Sequence, residues 1–590
     1  MTLTEALRIL KNQPAEGAPF EVLLACGFTT LHLEKLLGAQ VQRVLPEKRV
    51  AVRTGLFGDL CGTLEAVPGG SLPDAIAVAM EWPDLDPRLG YRQLGGWGPG
   101  QEADIAATVS AFCERMVSAV NRLPASVPVA ISLPTLPLPP TFHTPGWQAG
   151  KSQWAVDGAL TDLARKLSEH PHVRIASRER IAELSGGPRQ DLKAGLLTGL
   201  PYHLEHASAV AEVLARLIQP PAPKKGLITD LDDTFWHGLV GDVGPDGVSW
   251  DLSNHSQIHG LYQQFLSALG ETGVLLAVAS KNDPNVVEEA MQRTDLVLPP
   301  GRLFPMEVGW HSKSGSVTRI LKTWNISADA AVFVDDSPLE LAEVAAVHPD
   351  ITCLAFPGGN PEQALQLFRQ LRDLFGKSHL SGEDSYRLDS IRKAAEFQEA
   401  IAEPGGASDE FLLGLQAEIS IDLEGSANDA RVLELVNKTN QFNLNGIRFT
   451  EADWHERMRR PAAFLMVVSY RDKFGPLGKI AILQGRVQGS EVQVDTWVMS
   501  CRAFARRIEQ RCLTVLFEEF DAETVVVQYK PTNKNGPLRD FLGQIVDGTL
   551  EEGPVRIDRA LWESRCPRLY HAVEIKRAET QRATEHSVHG

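Results

Sequence analysis

The segment Gly226-Leu-Ile-Thr-Asp-Leu-Asp-Asp-Thr-Phe-Trp236 decides the fold of the central part of the chain. It starts with a short apolar run that predicts a buried strand, and three carboxylates follow at Asp230, Asp232 and Asp233. Because side chains alternate along a strand, we expect Asp230 and Asp232 to point the same way at its carboxyl end, where open parallel sheets bind ligands. Carboxylates this close repel each other unless a cation lies between them, and a hard divalent ion such as Mg2+ is the predicted partner. An acidic turn is the structural alternative.

Two further strand ends carry polar side chains. Apolar runs at Gly273–Ala279 and Ala330–Val334 predict buried strands, and helical patterns occur between the strands, at Leu261–Leu269 and Val317–Trp324. Alternating strands and helices predict an α/β fold with a doubly wound parallel sheet. The polar residues after these strands, with one lysine from the segment between them, are Ser280, Lys281, Asn282, Lys313, Asp335 and Asp336. The sequence therefore predicts one crevice that holds carboxylates, a hydroxyl and a lysine.

These residues, in this order, resemble the four motifs of the haloacid dehalogenase (HAD) superfamily of phosphotransferases. The resemblance implies that Asp230 is the nucleophile that forms an aspartyl-phosphate, and that Asp232 protonates the leaving oxygen and later activates water. It also implies a Mg2+ ion held by Asp230, Asp335, Asp336 and Asp232, the last through its backbone carbonyl. The residues that it places at the phosphate are Thr234, Ser280, Lys281 and Lys313. Singly, each also fits a helix cap, a turn or a solvated charge.

The gaps between these motifs are too short for a separate cap domain. Between Asp232 and Ser280 the sequence shows a glycine-rich flap and a helical pattern, and between Ser280 and Lys313 there is room for about one helix and a strand. We therefore expect an open site. An open site favours a phosphate presented on another protein over a small free metabolite.

Composition limits the class of protein. The 590 residues predict about three or four domains, and the hydrophobic content of 43% is ample for their cores. No apolar run approaches a membrane span, and Met1–Leu10 predicts an amphipathic helix rather than a secretory signal. Seven scattered cysteines indicate a reducing compartment, and a net charge of −17 argues against a nucleic-acid surface. We expect a cytoplasmic protein that binds neither membrane nor nucleic acid.

The clearest boundary is the proline-rich linker Gln219–Lys225, just before the opening strand. The predicted units are 1–218, an N-terminal docking unit; 226–378, the HAD-like unit; 379–409, a helical connector; 410–575, a C-terminal unit; and 576–590, a polar tail.

The N-terminal unit also shows an α/β pattern. Its predicted strands are Phe20–Leu24, Val50–Val52, Ala75–Ala79 and Val127–Ile131. Its outline resembles the SGNH-hydrolase-like region found upstream of HAD units in some proteins. Phe28 stands where such a hydrolase keeps its nucleophilic serine, so we interpret His203 and His206 as surface or packing histidines. We expect a non-catalytic docking domain.

The C-terminal unit carries a second chemical signal. The strand pattern Val494–Cys501 ends in a cysteine, and Arg502–Glu509 is predicted to open a helix that runs through Leu516. A thiol beside a helix N-terminus and several arginines has a lowered pKa and is a good nucleophile. The same N–H groups and arginines suit a phosphate. A small buried apolar side chain is the structural alternative for Cys501.

This unit resembles the GNAT-type N-acetyltransferase fold, whose strand-to-helix turn binds the phosphates of coenzyme A. Ala505 and Arg507 stand where that loop has its first and last small residues, so the turn suits the phosphopantetheine arm of an acyl carrier protein better than coenzyme A. The residues predicted to bind the acyl group or this arm are Arg502, Arg506, Arg507, Asn440, Gln441 and Asn443.

The chain as a whole, and 226–575 most strongly, resembles the FkbH-like family, in which a HAD unit is fused to a GNAT-like unit. The resemblance implies formation of glyceryl-acyl carrier protein from 1,3-bisphosphoglycerate in polyketide-type biosynthesis. Cys501 would take the glyceryl group as a thioester, and Asp230 and Asp232 would remove the remaining phosphate. The acyl unit, the order of the steps and the base that activates Cys501 stay open.

Two other functions stay open as well. The first is a simple Mg2+-dependent phosphatase whose C-terminal unit only recognises the substrate. The second is a scaffold that binds carrier proteins and has vestigial catalytic sites. Activity that does not depend on Cys501 favours the first, and failure to bind Mg2+ favours the second.

Overall fold

The computed structural model describes most of the chain, and the chain is a multidomain α/β protein. The described residues are 1–141, 143–378, 380, 388–389, 391–392, 409–423, 425–427, 429–473, 475–500, 503–504, 506–532, 534–546 and 550–577. They form two compact units. The first is Met1–Pro221 with Phe449–Arg457, and the second is Ala222–Arg448 with Met458–Gly590. The predicted fold class is confirmed, since two parallel sheets and one mixed sheet are present.

A five-stranded parallel sheet in the order β2-β1-β3-β4-β5 forms the centre of the first unit. Its strands are β1 (Ala18–Ala25), β2 (Lys48–Thr54), β3 (Ala75–Ala79), β4 (Val129–Ser132) and β5 (Val173–Ile175). Its helices are α1 (Leu3–Lys11), α2 (Leu31–Val44), α3 (Leu60–Glu65), α4 (Trp82–Leu85), α5 (Glu102–Asn121), α6 (Lys151–Leu167), α7 (Arg178–Ser185), α8 (Leu192–Thr198) and α9 (Leu204–Ile218). The four predicted strands are present, and the short β5 was not predicted. Successive strand residues such as Leu23 and Leu24 belong to different apolar clusters, so both faces of the sheet are covered.

The second unit opens with another parallel sheet, in the order β10-β9-β6-β7-β8. Its strands are β6 (Gly226–Thr229), β7 (Leu275–Ser280), β8 (Leu303–Val308), β9 (Ala331–Asp335) and β10 (Thr352–Ala355). Its helices are α10 (Val240–Val243), α11 (Gln257–Glu271), α12 (Pro284–Met291), α13 (Lys313–Trp324), α14 (Pro338–Val347) and α15 (Pro361–Phe375). All residues of β6, β7 and β9 are buried, as their unbroken apolar runs predicted. Between Ser280 and Lys313 the chain holds one α-helix, α12, and one strand, β8, as the gap length predicted.

Helix caps fix where the polar loops of this sheet end. Ser312 accepts a hydrogen bond from the N–H of Gly315, so α13 begins at Lys313. Ser337 caps α14 in the same way, and Pro338 occupies the first helical position, where its missing N–H has no cost. These caps bring Lys313 and the loop after β9 to the same edge of the sheet.

The rest of the second unit is built on a mixed sheet in the order β17-β16-β15-β14-β13-β11-β18, with β12 pairing to β15. Its strands are β11 (Glu418–Asp422), β12 (Phe442–Asn443), β13 (Ala463–Asp472), β14 (Gly475–Gln488), β15 (Glu491–Met499), β16 (Thr524–Tyr529), β17 (Gly553–Asp558) and β18 (Ala572–Lys576). The helices of this stretch of chain are α16 (Asp409–Leu413), α17 (Ala430–Lys438), α18 (Glu451–Met458), α19 (Ile508–Glu519), α20 (Gly536–Ile545) and α21 (Arg559–Arg565). The parallel strands β15 and β16 pair only from Glu491 to Val494, and β12 pairs with β15 beyond that point.

Some predictions on secondary structure differ from the structure or fall outside it. The helix after Cys501 begins at Ile508 and not at Arg502, because Arg507 has a left-handed backbone with φ of 57°. Most of the predicted connector 379–409 and the tail from 578 onward lie outside the described residues. Within the described ranges, no helix is both long and apolar enough to cross a membrane.

Candidate functional site

The predicted polar side chains converge at the carboxyl end of the parallel sheet in the second unit. Asp230 directly follows β6, Ser280 ends β7 and Asp335 ends β9. Because β6 lies between β9 and β7, these three strand ends are neighbours. Lys313 reaches the same place from the first turn of α13.

Lys313 joins two buried carboxylates. Its Nζ lies 2.8 Å from Oδ1 of Asp230 and 2.5 Å from Oδ2 of Asp335. Asp230 is 6% exposed, Asp335 0% and Lys313 4%. Burial raises the pKa of Asp230 to about 7, although the Lys313 ammonium opposes the rise. Burial lowers the pKa of Lys313, but the two carboxylates outweigh it, and the net shift is upward. One cation therefore pairs with two carboxyl groups that are almost fully buried.

Three carboxylates at this edge fit a divalent cation. One oxygen from each of Asp230, Asp335 and Asp336 lies within 4.8 Å of the others. Asp336 is the exposed member of the three, yet partial desolvation of its carboxyl group, followed by the charge of Asp335, raises its pKa. An all-oxygen set of this kind suits a hard ion such as Mg2+ and suits zinc or copper poorly. Asp230, Asp335 and Asp336 are therefore the side chains that would hold the predicted ion.

The side chain of Asp232 is held away from this group. Its Oδ1 accepts hydrogen bonds from Nε1 of Trp236 at 2.9 Å and from the N–H of Val240 at 3.2 Å. Its Oδ2 accepts from Nδ2 of Asn282 at 3.1 Å. Asp232 is partly exposed, so it can exchange protons with solvent and substrate. The arrangement fits the predicted acid–base role. The side chain of Asp232 is not among the three carboxylates grouped at the metal site, and the role of its backbone carbonyl stays a prediction.

Two of the residues predicted at the phosphate have other partners. The buried Thr234 accepts a hydrogen bond from the N–H of Asp336 at 3.0 Å and donates to its Oδ1 at 3.3 Å, so it ties two strand-end loops together. Lys281 lies 2.9 Å from Glu340 and 3.6 Å from Glu343, and the hydrogen bond to Glu340 raises its pKa. Thr234 and Lys281 therefore both make contacts that stabilise the fold around the site.

Asn282 is a site residue whose role the sequence did not predict. Its Nδ2 donates to Oδ2 of Asp232 at 3.1 Å and to Oγ of Ser280 at 3.0 Å. It therefore connects the predicted acid–base group to the predicted phosphate-binding hydroxyl. The only signal was its position two residues after Ser280, and that position does not show where the side chain points.

The predicted thiol site is described only in part. Cys501, Arg502 and Ala505 lie outside the described residues. Arg506 is buried and pairs with buried Asp472, with Nε 3.3 Å from Oδ2. Arg507 donates to the carbonyl of Arg568 at 2.8 Å and to Asp409 at 2.9 Å. These two arginines thus have partners within the protein, and their role at a phosphate stays a prediction.

Asn440, Gln441 and Asn443 divide into two groups. Asn440 and Gln441 line a cavity of the second unit, next to Met499 and Ser500. Asn443 is buried, and its Oδ1 accepts from the N–H groups of Asn445 at 3.2 Å and Gly446 at 2.8 Å. Asn443 therefore shapes a turn, while the first two residues face a space that can take a ligand.

His571 is held by one hydrogen bond and is neutral at pH 7. Its Nε2 donates to the carbonyl of Arg506 at 2.8 Å, which leaves the lone pair on Nδ1. Within the described part of the chain, buried Nδ1 has no hydrogen-bond partner. Burial lowers the pKa of His571 to about 4, so the ring is neutral at pH 7.

In the first unit, position 28 is Phe28, so His203 and His206 have no serine there to activate. Phe28 stacks edge-on against Tyr202, and the Tyr202 hydroxyl donates to buried Glu81 at 2.9 Å. His206 is fully buried between the hydroxyls of Thr135, at 2.8 Å, and Ser185, at 2.7 Å. The interpretation of His206 as a packing histidine is confirmed. His203 is partly exposed and precedes the first turn of α9.

Comparison with known proteins identifies a shared fold. No protein-family model and no curated protein matches the chain. A solved structure that matches is the N-terminal part of the protein BF1531 from Bacteroides fragilis, which contains a phosphatase domain complexed with Mg. It is 20% identical, the match covers 64% of this chain and 100% of that one, and the TM-score is 0.51. A domain from Methanocaldococcus jannaschii is 11% identical over 24% of this chain and 99% of its own, but its TM-score of 0.19 supports no argument. The Bacteroides structure shows that the two chains share a fold.

Proposed function

We propose that the chain is a Mg2+-dependent phosphatase that uses the HAD mechanism. The observation that carries the proposal is the buried pair Asp230 and Asp335, joined by Lys313 beside Asp336 at the ends of parallel strands. Buried charges of this kind lower stability unless they are paired, and they concentrate at functional sites. The shared fold with a Bacteroides protein that contains a phosphatase domain complexed with Mg supports the same reading.

The mechanism follows from what each side chain can do. An oxygen of Asp230 attacks phosphorus, the bond from phosphorus to the leaving oxygen breaks, and Asp232 gives its proton to that oxygen. Asp232 then takes a proton from water, whose oxygen attacks the aspartyl-phosphate and releases phosphate. Lys313 stabilises the charge on the transferred oxygens. A bound Mg2+ would supply further neutralisation of the phosphoryl charge.

We also propose that the chain transfers an acyl group through Cys501. Its thiolate attacks C1 of 1,3-bisphosphoglycerate, the C–O bond to the acyl phosphate breaks, and phosphate leaves as a thioester forms. The Asp230 site removes the phosphate at C3, and the thiol of an acyl carrier protein then takes the glyceryl group.

The phosphatase is tested by turnover of 1,3-bisphosphoglycerate and of p-nitrophenyl phosphate with Mg2+. Asp230→Asn should abolish release of the C3 phosphate of 1,3-bisphosphoglycerate and hydrolysis of p-nitrophenyl phosphate, whereas the C1 phosphate should still leave through Cys501. Asp232→Asn should slow the two Asp230-dependent reactions by about 10²–10⁴. The exposed Asp246→Asn serves as the matched control and should leave the rate unchanged. Wild-type rates in Asp230→Asn would refute the phosphatase.

The transfer step is tested by intact-protein mass spectrometry after incubation with 1,3-bisphosphoglycerate. We expect a glyceryl adduct that is lost in Cys501→Ala and that keeps its phosphate in Asp230→Asn. An adduct that survives Cys501→Ala places the acyl group on another side chain and removes Cys501 from the mechanism.

One observation favours the simple phosphatase as a second candidate. Arg506 and Arg507 pair with Asp472 and Asp409, so neither stands ready for a carrier's phosphate. In that case the C-terminal part only recognises the substrate. Full phosphatase activity together with no acyl adduct on any residue would support this alternative.

A further inference from the structure

The first unit holds a cavity of about 560 Å³ at the carboxyl end of its parallel sheet. We call it the first-unit cavity, and the residues that line it lie between Gly27 and Pro201. They come from the loops after β1, β2, β3 and β4 and from the region of α8. The sheet order β2-β1-β3-β4-β5 reverses direction between β1 and β3, and open α/β sheets bind ligands at such a point. The volume lies within the roughly 300–1,000 Å³ of clefts that take small ligands.

Most of the cavity wall is apolar. The wall includes the side chains of Phe28, Phe57, Trp82, Leu136, Leu192 and Leu196. Trp82 and Leu136 are buried, whereas Phe57 is 68% exposed and Leu196 47% exposed. The apolar surface therefore continues from the inner wall to the outer rim. Removing this surface from water favours a ligand with an apolar body.

Asp84 of α4 is the polar group that faces this apolar space. Its Oδ2 accepts a hydrogen bond from the N–H of Glu81 at 2.7 Å, and the N–H of Gly27 also donates to its carboxyl group. A Cβ atom at position 27 would lie 1.9 Å from Oδ1 of Asp84, so only glycine allows this close approach. A carboxylate has about four acceptor positions, and the two N–H groups leave about half of them for a ligand.

The charge of Asp84 is not balanced by a cation. Among the residues that the structure describes, no lysine, arginine or histidine forms a salt bridge with it, and the neighbouring charge that acts on it is that of Glu81. Burial, followed by this second carboxyl group, raises the pKa of Asp84 to about 7. Glu81 uses its own oxygens to accept from the hydroxyls of Thr135 and Tyr202. A cationic group on a ligand would therefore find a carboxylate with free acceptor positions at the inner end of the cavity.

We propose that the first-unit cavity binds an amine that has an apolar body. The protonated amino group donates to Asp84, and the apolar part lies against Phe28, Trp82 and Leu136. Every residue that lines the cavity belongs to Met1–Pro221, whereas the carboxylate cluster of Asp230 belongs to the second unit. The inference goes beyond the proposed phosphatase and does not depend on it.

Three probes that differ only in their end group test the site: octylamine, 1-octanol and octanoate. Their binding is measured by calorimetry on the full chain at pH 7 without Mg2+. We expect octylamine to bind about tenfold more tightly than 1-octanol, because only the amine brings a cation to Asp84, and octanoate to bind most weakly. Equal affinity for octylamine and 1-octanol overturns the proposal. Tightest binding of octanoate also overturns it, because the exposed Arg92 at the cavity would then be the polar contact.

A charge variant tests the role of Asp84. Asp84→Asn keeps the size of the side chain and should weaken octylamine about tenfold, while 1-octanol changes by less than about twofold. Asp162→Asn removes the same charge from an exposed position on α6 and should leave both affinities unchanged. Asp230→Asn should leave them unchanged as well. Octylamine binding that is lost in Asp230→Asn, or kept in full in Asp84→Asn, overturns the proposal.

Two neighbouring leucines of α8 test the apolar wall. Leu196 lines the cavity, whereas Leu197 does not and is 74% exposed. Leu196→Gln should weaken octylamine and 1-octanol by the same factor, about threefold to tenfold, and Leu197→Gln should change neither. Equal effects of the two variants overturn the proposal. Circular dichroism shows whether Asp84→Asn is folded, and Leu196→Gln, at a half-exposed position, keeps the test decisive if it is not.

Discussion

At the scale of single residues, the site depends on Lys313. Its ammonium is the cation that both buried carboxylates contact, at 2.8 Å from Asp230 and 2.5 Å from Asp335. A buried charge that loses its partner is costly, because water cannot replace the lost interaction. Without Lys313, the carboxyl groups of Asp230 and Asp335 would lie together, buried and without this cation, at the carboxyl end of the parallel sheet. Lys313 therefore contributes both to the stability of the fold and to the proposed chemistry of the site.

We predict that Lys313→Met lowers the free energy of unfolding by about 3–5 kcal/mol in EDTA. Mg2+ should restore part of the loss, because a bound cation replaces the missing charge between the carboxylates. Thermal or denaturant unfolding with and without Mg2+ measures both effects. The matched control is Lys281→Met, whose pair with Glu340 is partly exposed and should contribute about 1 kcal/mol or less. Equal losses in the two variants would contradict the argument.

The sequence predicted the position of the site residues better than their partners. Asp230, Lys313 and Asp335 come together as predicted, because strand ends of a parallel sheet share one edge. The pairing of Lys281 with α14 was not foreseen, since it depends on how that helix packs. The link from Asn282 to Asp232 was missed because the position of Asn282 after Ser280 does not show where its side chain points.

At the scale of elements, α19 begins later than predicted, and a buried ion pair lies just before it. The pattern Arg502–Glu509 predicts a helix, yet α19 begins at Ile508. Arg506 is buried and pairs with Asp472. Oδ2 of Asp472 also accepts a hydrogen bond from the Tyr470 hydroxyl at 3.1 Å. The left-handed backbone of Arg507 then starts the helix in a new direction. A tertiary contact to β13 overrides a local helical pattern, so no reading of the local sequence could have found it.

We predict that Arg506→Leu costs about 3–5 kcal/mol of stability, because it leaves the Asp472 carboxylate buried without its cation. The double variant Arg506→Leu/Asp472→Leu should recover at least half of the loss, since apolar side chains often replace a buried pair without cost. Denaturant unfolding of the four proteins in this cycle gives the coupling. Arg507→Leu, whose pair with Asp409 is exposed, is the control and should cost about 1 kcal/mol or less. Additive losses in the cycle would count against a structural role for Arg506.

In the first unit, α9 and the loop after β4 share a buried polar network through His206. Burial lowers the pKa of His206 to about 4. The unfolded chain takes up a proton near pH 6.5 and the folded one only near pH 4, so stability falls as pH drops through this window. We predict that the advantage of wild type over His206→Gln shrinks by roughly 2 kcal/mol between pH 7 and pH 5. Unfolding curves at the two pH values test this. A constant difference would mean that His206 takes up its proton at the same pH in the folded and the unfolded chain, and an advantage that grows as pH falls would mean that the fold stabilises the charged ring.

At the scale of the whole molecule, the chain passes through the first unit twice. The sequence predicts 410–575 as one unit, yet Phe449–Arg457 belongs with Met1–Pro221. Two ion pairs within the first unit hold this segment: Lys48 with Asp453 at 2.8 Å, and Arg174 with Glu451. Nothing in the composition of 449–457 marks it as different from its neighbours. Each pair joins residues more than 250 positions apart, with separations of 405 and 277. Periodicity and linker composition report on local structure, so they predicted the sheets and could not predict this return of the chain.

The return predicts that the first unit is incomplete without residues 449–457. Lys48→Glu places a negative charge against Asp453, where the side chains are 18% and 29% exposed, and should destabilise the first unit by about 1–3 kcal/mol. Adding Asp453→Lys restores the attraction with the charges exchanged and should recover at least half of the loss.

Hydrogen exchange of the amides in α18 provides the local measurement. Exchange there should speed up in Lys48→Glu and slow again in the double variant. Arg165→Glu reverses an exposed charge on α6 and should leave α18 unchanged. The outcome that contradicts the prediction is the same exchange rate of α18 in wild type, Lys48→Glu, the double variant and Arg165→Glu. Apolar contacts would then hold the segment, and the ion pairs would add no stability.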